Sequence, residues 1–177
     1  MYAYLKGRLE EIDEQKVVID VNGIGYMVTV PQSIISKLPP KGDLVKLYTC
    51  LILKDNCQEL YGFIDRSQKY LFEKLITVSG IGPKGAMALL SILSPDQIAL
   101  AIVTSDVKTL TTAPGIGKKT AQRMILELKE KIDNNVILDN QDAGLMPSNN
   151  EKLNEVVQAL SALGYHYNEI QHAIKGI

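Results

Sequence analysis

The chain has 177 residues, 46% of them apolar and 22% charged, with a formal net charge of −1. That length holds one ordinary domain or several small ones, and no run of eighteen apolar residues is present to cross a membrane as a helix. The near-zero charge argues superficially against a nucleic-acid partner, but it averages over unlike parts.

Met1 to Leu9 carries Lys6 and Arg8 and no long apolar stretch, so no export signal is expected. From there the first third reads as β. Tyr2 to Leu9, Lys16 to Val21, Gly25 to Val30, Leu44 to Leu53 and Gln58 to Phe63 are short β-rich runs. Turn signals such as Asn22-Gly23 and Pro39-Pro40-Lys41-Gly42 part them. Five short strands in about sixty residues suit a small barrel of the OB type. The polar turn Lys54-Asp55-Asn56 reads on pattern alone as an ordinary hairpin tip. Cys50 and Cys57 form neither a zinc spacing nor a disulfide framework. They are expected as reduced thiols in a cytoplasmic protein, with no metal and no cofactor.

Next come apolar-periodic stretches expected as helices: Tyr70 to Val78, Ala86 to Leu93, Val107 to Leu110, and a last one bearing Ala121, Met124, Ile125 and Leu128. Between members of each pair stands the same phrase, Gly80-Ile81-Gly82-Pro83-Lys84 and, 35 residues later, Gly115-Ile116-Gly117-Lys118-Lys119. Two helices joined by a tight glycine turn, and then duplicated, form the organising repeat of the chain. Glycine admits positive φ and close approach of a second group. The turn opens a helix whose first N–H groups lack internal partners, which makes a place for an anion such as a phosphate. Lys84, Lys118, Lys119 and Arg123 fall in or just after these openings. Residues 63–131 carry a net +4, whereas residues 1–62 carry −1 and residues 132–177 carry −4. The basic excess thus lies where a phosphate-binding surface requires it. Contacts to phosphates carry no base information, so binding should follow shape rather than sequence.

Gly117-Lys118-Lys119-Thr120 superficially matches a nucleotide-binding P-loop. That loop needs a glycine five places before its Gly-Lys and a Ser or Thr directly after. Here Thr112 and Lys119 occupy those places, so ATP hydrolysis is not expected. From Asn134 to Asn150 the chain is polar with few large apolar residues and reads as a flexible linker. Beyond it, Leu153, Val156, Val157, Leu160 and Leu163 mark one helix ending at Gly164, and Ile170, Ala173 and Ile174 a second. Two short helices bury little by themselves, so this acidic module is a candidate docking element for another protein. His166 and His172 show no metal spacing.

Taken together, these features resemble the RuvA family, the Holliday-junction-binding subunits of the bacterial branch-migration machine. Leu60-Tyr61-Gly62-Phe63, Leu71-Phe72-Glu73-Lys74-Leu75-Ile76 and Pro114-Gly115-Ile116-Gly117-Lys118-Lys119-Thr120-Ala121 carry the resemblance, which covers essentially the whole chain. It implies an α+β, multidomain chain. An OB-type barrel spans 1–63, a tandem helix-hairpin-helix domain 64–133, a linker 134–150 and a small helical partner-binding domain 151–177.

The resemblance further implies a homotetramer, or a face-to-face octamer, that holds four-way junction DNA open and square. It also implies partnership with the hexameric ATPase RuvB and with the RuvC resolvase, and no membrane. DNA-binding residues carried over by position are Gly80, Gly82, Lys84, Gly115, Gly117, Lys118, Lys119 and Arg123. An acidic pin falls at Asp55, with Asn56 where the family usually has a second acid. Leu160, Leu163, Tyr165 and Ile170 are candidates for RuvB contact, in a tail that shows two helices where the family usually has three. Two other classes compete. A helix-hairpin-helix repair enzyme, such as a glycosylase or nuclease, would need a catalytic Lys and Asp beside the hairpin or a cluster of acidic metal ligands, and Asp65, Glu73, Asp96, Asp106, Glu127 and Glu130 are scattered. A plain interaction scaffold would use the hairpins only for packing.

Overall fold

Alternation of apolar and polar residues builds the first half. In the computed structural model, which describes residues 2–54 and 57–133, the strands are β1 (Tyr4–Asp13), β2 (Lys16–Val21), β3 (Ile24–Thr29), β4 (Leu44–Lys54) and β5 (Cys57–Phe63). They close into a barrel in the order β1-β2-β3-β5-β4. All ladders are antiparallel except β3 with β5, a parallel contact at Thr29↔Tyr61. Leu5, Leu9, Val17, Ile19, Val28, Val45 and Leu47 point inward and are buried. The short helix α1 (Gln32–Ile35) adds Ile34 to this core. β1 runs four residues beyond the expected Leu9, across a register shift between Leu9 and Glu11. A bulge there keeps the acidic end of the strand paired with β2 while its side chains stay in water.

The helical half comprises α2 (Arg66–Leu75), α3 (Pro83–Ile92), α4 (Pro95–Val103), α5 (Val107–Leu110) and α6 (Lys118–Asp133). The helix α4 was not expected from periodicity. It is held by a capping box, in which the Ser94 side chain accepts from the Gln97 N–H while the Gln97 side chain accepts from the Ser94 N–H. Ile98, Ala101 and Ile102 turn inward from it. No single helix among the described residues is long and apolar enough to cross a membrane.

Residues Met1–Asn134 form one compact unit. The last strand explains why. Tyr61 and Phe63 belong to β5, yet they sit in the helical core, where both rings lie 5.0 Å from the Phe72 ring of α2. Cys50 and Ile52 of β4 pack against the same core. At the opposite flank Gln32 N–H donates to Ser91 Oγ (2.9 Å) and Ser33 Oγ to the Leu90 carbonyl (2.8 Å), joining α1 to the end of α3. Burial against aromatic rings holds the halves together more strongly than these exposed or half-exposed bonds.

Candidate nucleic-acid interface

The first hairpin is a turn with an apolar peg. Ile81 N–H donates to the Val78 carbonyl (3.0 Å), and Gly80 between them has φ +91°. A side chain at that φ would be strained, so glycine is required by the backbone itself. Val78 and Ile81 are buried in the helical core, and this lifts the glycines between and after them to the surface. Gly82 then caps α3 in extended conformation, its carbonyl accepting from Ala86 N–H (3.1 Å). Pro83 fills the first helical position, where no donor is needed.

The second hairpin repeats each of these bonds. Ile116 N–H donates to the Ala113 carbonyl (3.1 Å), Gly115 has φ +83°, and Ala121 N–H donates to the Gly117 carbonyl (2.9 Å). Ala113 and Ile116 are buried as Val78 and Ile81 are. Pro114 occupies the second turn position, where its fixed φ suits the turn.

Each hairpin therefore aims a set of amides outward. Among the described residues, the N–H groups of Gly82, Lys84 and Gly85, and of Gly117, Lys118, Lys119 and Thr120, have no hydrogen-bond partner. At Gly82 and at Gly117 nothing lies within 4 Å of where a Cβ would stand, so the ground above the amides is open. The Lys84, Lys118 and Lys119 side chains are exposed and, among the described residues, none pairs with a carboxylate. Helix N-termini with free amides and flanking lysines bind an anionic oxygen group through both hydrogen bonds and dipole.

Arg123 is placed differently from the other expected contacts. From α6 its Nη1 reaches the first hairpin and donates to the Ser79 carbonyl (3.1 Å) and Ser79 Oγ (3.0 Å). It thereby ties the two repeats together across 44 residues of sequence, while the side chain remains exposed. Ser79 itself escaped the sequence reading, because neither glycine spacing nor charge marks it. Its partner is visible only in three dimensions.

The lead-in to the second hairpin is fastened by Asp106, which caps α5. Its carboxylate accepts from the Thr109 hydroxyl (2.6 Å) and the Thr109 N–H (3.1 Å), and these bonds hold its pKa below the ordinary aspartate value. No three metal-ligating side chains come together among the described residues. Asp55 and Asn56, and Leu160, Leu163, Tyr165 and Ile170, lie outside the described residues. The β4–β5 ladder runs out to Lys54↔Cys57 on either side of the expected pin.

Comparison with known proteins gives two family models, the RuvA N terminal domain over residues 1–62 and a SAM-like helix-hairpin-helix tandem over residues 72–130. A protein of Caldanaerobacter subterraneus subsp. tengcongensis is 42% identical over 177 residues, which is all of this chain and 90% of that one. Proteins of Thermoanaerobacter pseudethanolicus and Neisseria meningitidis are 44% and 42% identical over the same 177 residues, again 90% of each. All three are named Holliday junction branch migration complex subunit RuvA.

Proposed function

We propose that this chain, which belongs to the RuvA family, binds four-way junction DNA through its paired hairpins and presents it to a motor. The observation that carries the reading is the duplication of one donor set, with free amides at Gly82, Lys84 and Gly85 and again at Gly117 to Thr120. A duplex arm offers two sugar–phosphate backbones, and two equivalent cradles held in fixed relation can engage both. Lys84, Lys118 and Lys119 add charge at each cradle, and Arg123 sets the relation between them.

In this reading four copies surround the junction and hold it open and roughly square, singly or as two tetramers face to face. Asp55 of each copy stands near the crossover and repels phosphates as strands pass, with Asn56 contributing no charge. ATP hydrolysis belongs to the RuvB hexamer, and this chain acts as its non-catalytic partner in recombination and repair in the cytoplasm. Leu160, Leu163, Tyr165 and Ile170 serve RuvB contact, and RuvC acts on the same junction.

The test is a gel shift of the full chain with a synthetic four-way junction and with a linear duplex of the same sequence, at several salt concentrations. The expected result is strong junction preference, indifferent to sequence and to ATP. Binding should weaken steeply with salt, by about 0.9 in the log–log slope for each phosphate neutralised. Equal binding to both DNAs, or none, overturns the reading.

A further inference from the structure

The barrel carries cations that the hairpins do not use. Along β1, Tyr4, Lys6 and Arg8 are exposed and alternate with buried Leu5, Gly7 and Leu9. On β4 beside them, Leu44 and Lys46 are exposed and Tyr48 is half-buried. The register sets Tyr4 opposite Tyr48, Lys6 opposite Lys46 and Arg8 opposite Leu44.

Lys46 Nζ lies 4.7 Å from the Tyr4 ring centre and 4.9 Å from that of Tyr48, while the Arg66 guanidinium lies 5.6 Å from Tyr48 on its own account. The rings hold the Lys46 ammonium in place without neutralising it. Like charges directly opposite each other on neighbouring strands repel, and among the described residues neither Lys6 nor Lys46 has a carboxylate partner. The acid nearest in the ladder is Asp20, opposite Arg8 on β2, and its Oδ1 accepts from Gly23 N–H at 3.0 Å. Arg8 Nη1 donates to the Gly42 carbonyl at 2.9 Å, so its fork is oriented.

We propose that this β1/β4 face is a second DNA-backbone surface, separate from the hairpins. Three features favour a polyanion over a small anion. The cations form a row along the strand, Lys6 and Arg8 standing two residues or about 6.6 Å apart. The face is an open sheet rather than an enclosed pocket, so it offers a lone ion no cage. Tyrosine hydroxyls flank the row, and such groups commonly contact DNA phosphates. Charge complementarity thus selects the occupant, and the like-charged pair is relieved when phosphate lies across it.

The proposal rests on the reading that DNA is the ligand, and its test separates the two. The full-length double variant K6E/K46E is compared with the unaltered chain and with K16E, an exposed lysine elsewhere on the barrel. Fluorescence anisotropy with four-way junction and linear duplex is read across a salt series, beside thermal melting and sedimentation. The expected result is junction affinity at least tenfold lower for K6E/K46E and a log–log salt slope smaller by about 1.8 per subunit engaged. Assembly state should not change, melting should fall only by the small amount that two exposed ring contacts of Lys46 supply, and K16E should keep the unaltered slope. An unchanged slope and affinity in K6E/K46E overturn the proposal, as does a changed assembly state, which would make the face a protein interface. Loss of binding only in hairpin variants defeats this proposal and leaves the hairpin reading intact. Failure of the unaltered chain to bind any DNA defeats both.

Discussion

Replacing Gly117 by serine should separate folding from binding. Gly117 caps α6, lies outside the left-handed region, and has nothing within 4 Å of where a Cβ would stand. Serine is a better helix cap than glycine by a few tenths of a kcal/mol, roughly, because its hydroxyl accepts from the N–H groups two and three places on. Those are the Lys119 and Thr120 amides that the anion requires. The fold should hold or gain slightly while one charge-assisted hydrogen bond to phosphate, worth about 1.5 kcal/mol, is lost. That corresponds to about tenfold weaker junction binding. The contrasting variant is Gly115→Ser. At φ +83° a side chain costs about 1–2 kcal/mol, or roughly 4–8 °C in melting temperature for a unit of this size. Melting followed by circular dichroism, with anisotropy titrations at one salt concentration, reads both. Gly117→Ser binding as tightly as the unaltered chain, or melting as early as Gly115→Ser, would refute the amide cradle.

Two other outcomes follow from the bonds around the hairpins. Arg123→Lys keeps the charge, but its ammonium sits one bond short of the Nη1 that donates to both the Ser79 carbonyl and hydroxyl. A net loss of about 1 kcal/mol should weaken junction binding about fivefold with the salt slope unchanged, and equal affinity would show the tie to be idle. Asp106 has a lowered pKa from its bonds to Thr109, so its cap contributes stability above the ordinary aspartate value of 3.8. That contribution is lost as pH falls below 3.8 through the folded pKa. Protection of the Thr109 amide, taken against its intrinsic exchange rate at each pH, should therefore fall with acid in the unaltered chain and not in Asp106→Asn, which caps without titrating. An identical acid response in both would exclude the cap as its source.

Periodicity made the barrel legible because each strand has one wet and one dry face. Lys16 to Val21 was readable to the residue. The extension of β1 was not, since Glu10, Glu11 and Asp13 look like a turn until pairing across the bulge is known. The helix α4 left a readable mark, the Ser94-Pro95-Asp96-Gln97 capping box, that a search for apolar periodicity alone passes over. Within the site, the glycines and lysines were legible from duplication, and the structure gives the two glycines of each copy different duties. Gly80 and Gly115 are demanded by φ, whereas Gly82 and Gly117 are adjacent to open space. Spacing cannot show that difference, and it cannot show the Arg123–Ser79 tie, which depends on how two repeats pack.

The rings of Tyr61 and Phe63 against Phe72 have a mechanical consequence. A strand that is at once a stave of the barrel and a wall of the helical core leaves no hinge at residue 63. Load taken up at the hairpins is passed into the β4–β5 ribbon, whose Cys50 and Ile52 are braced on the same core. Hairpins and the base of the ribbon thus share one packed core, so a displacement of one must repack side chains that also hold the other.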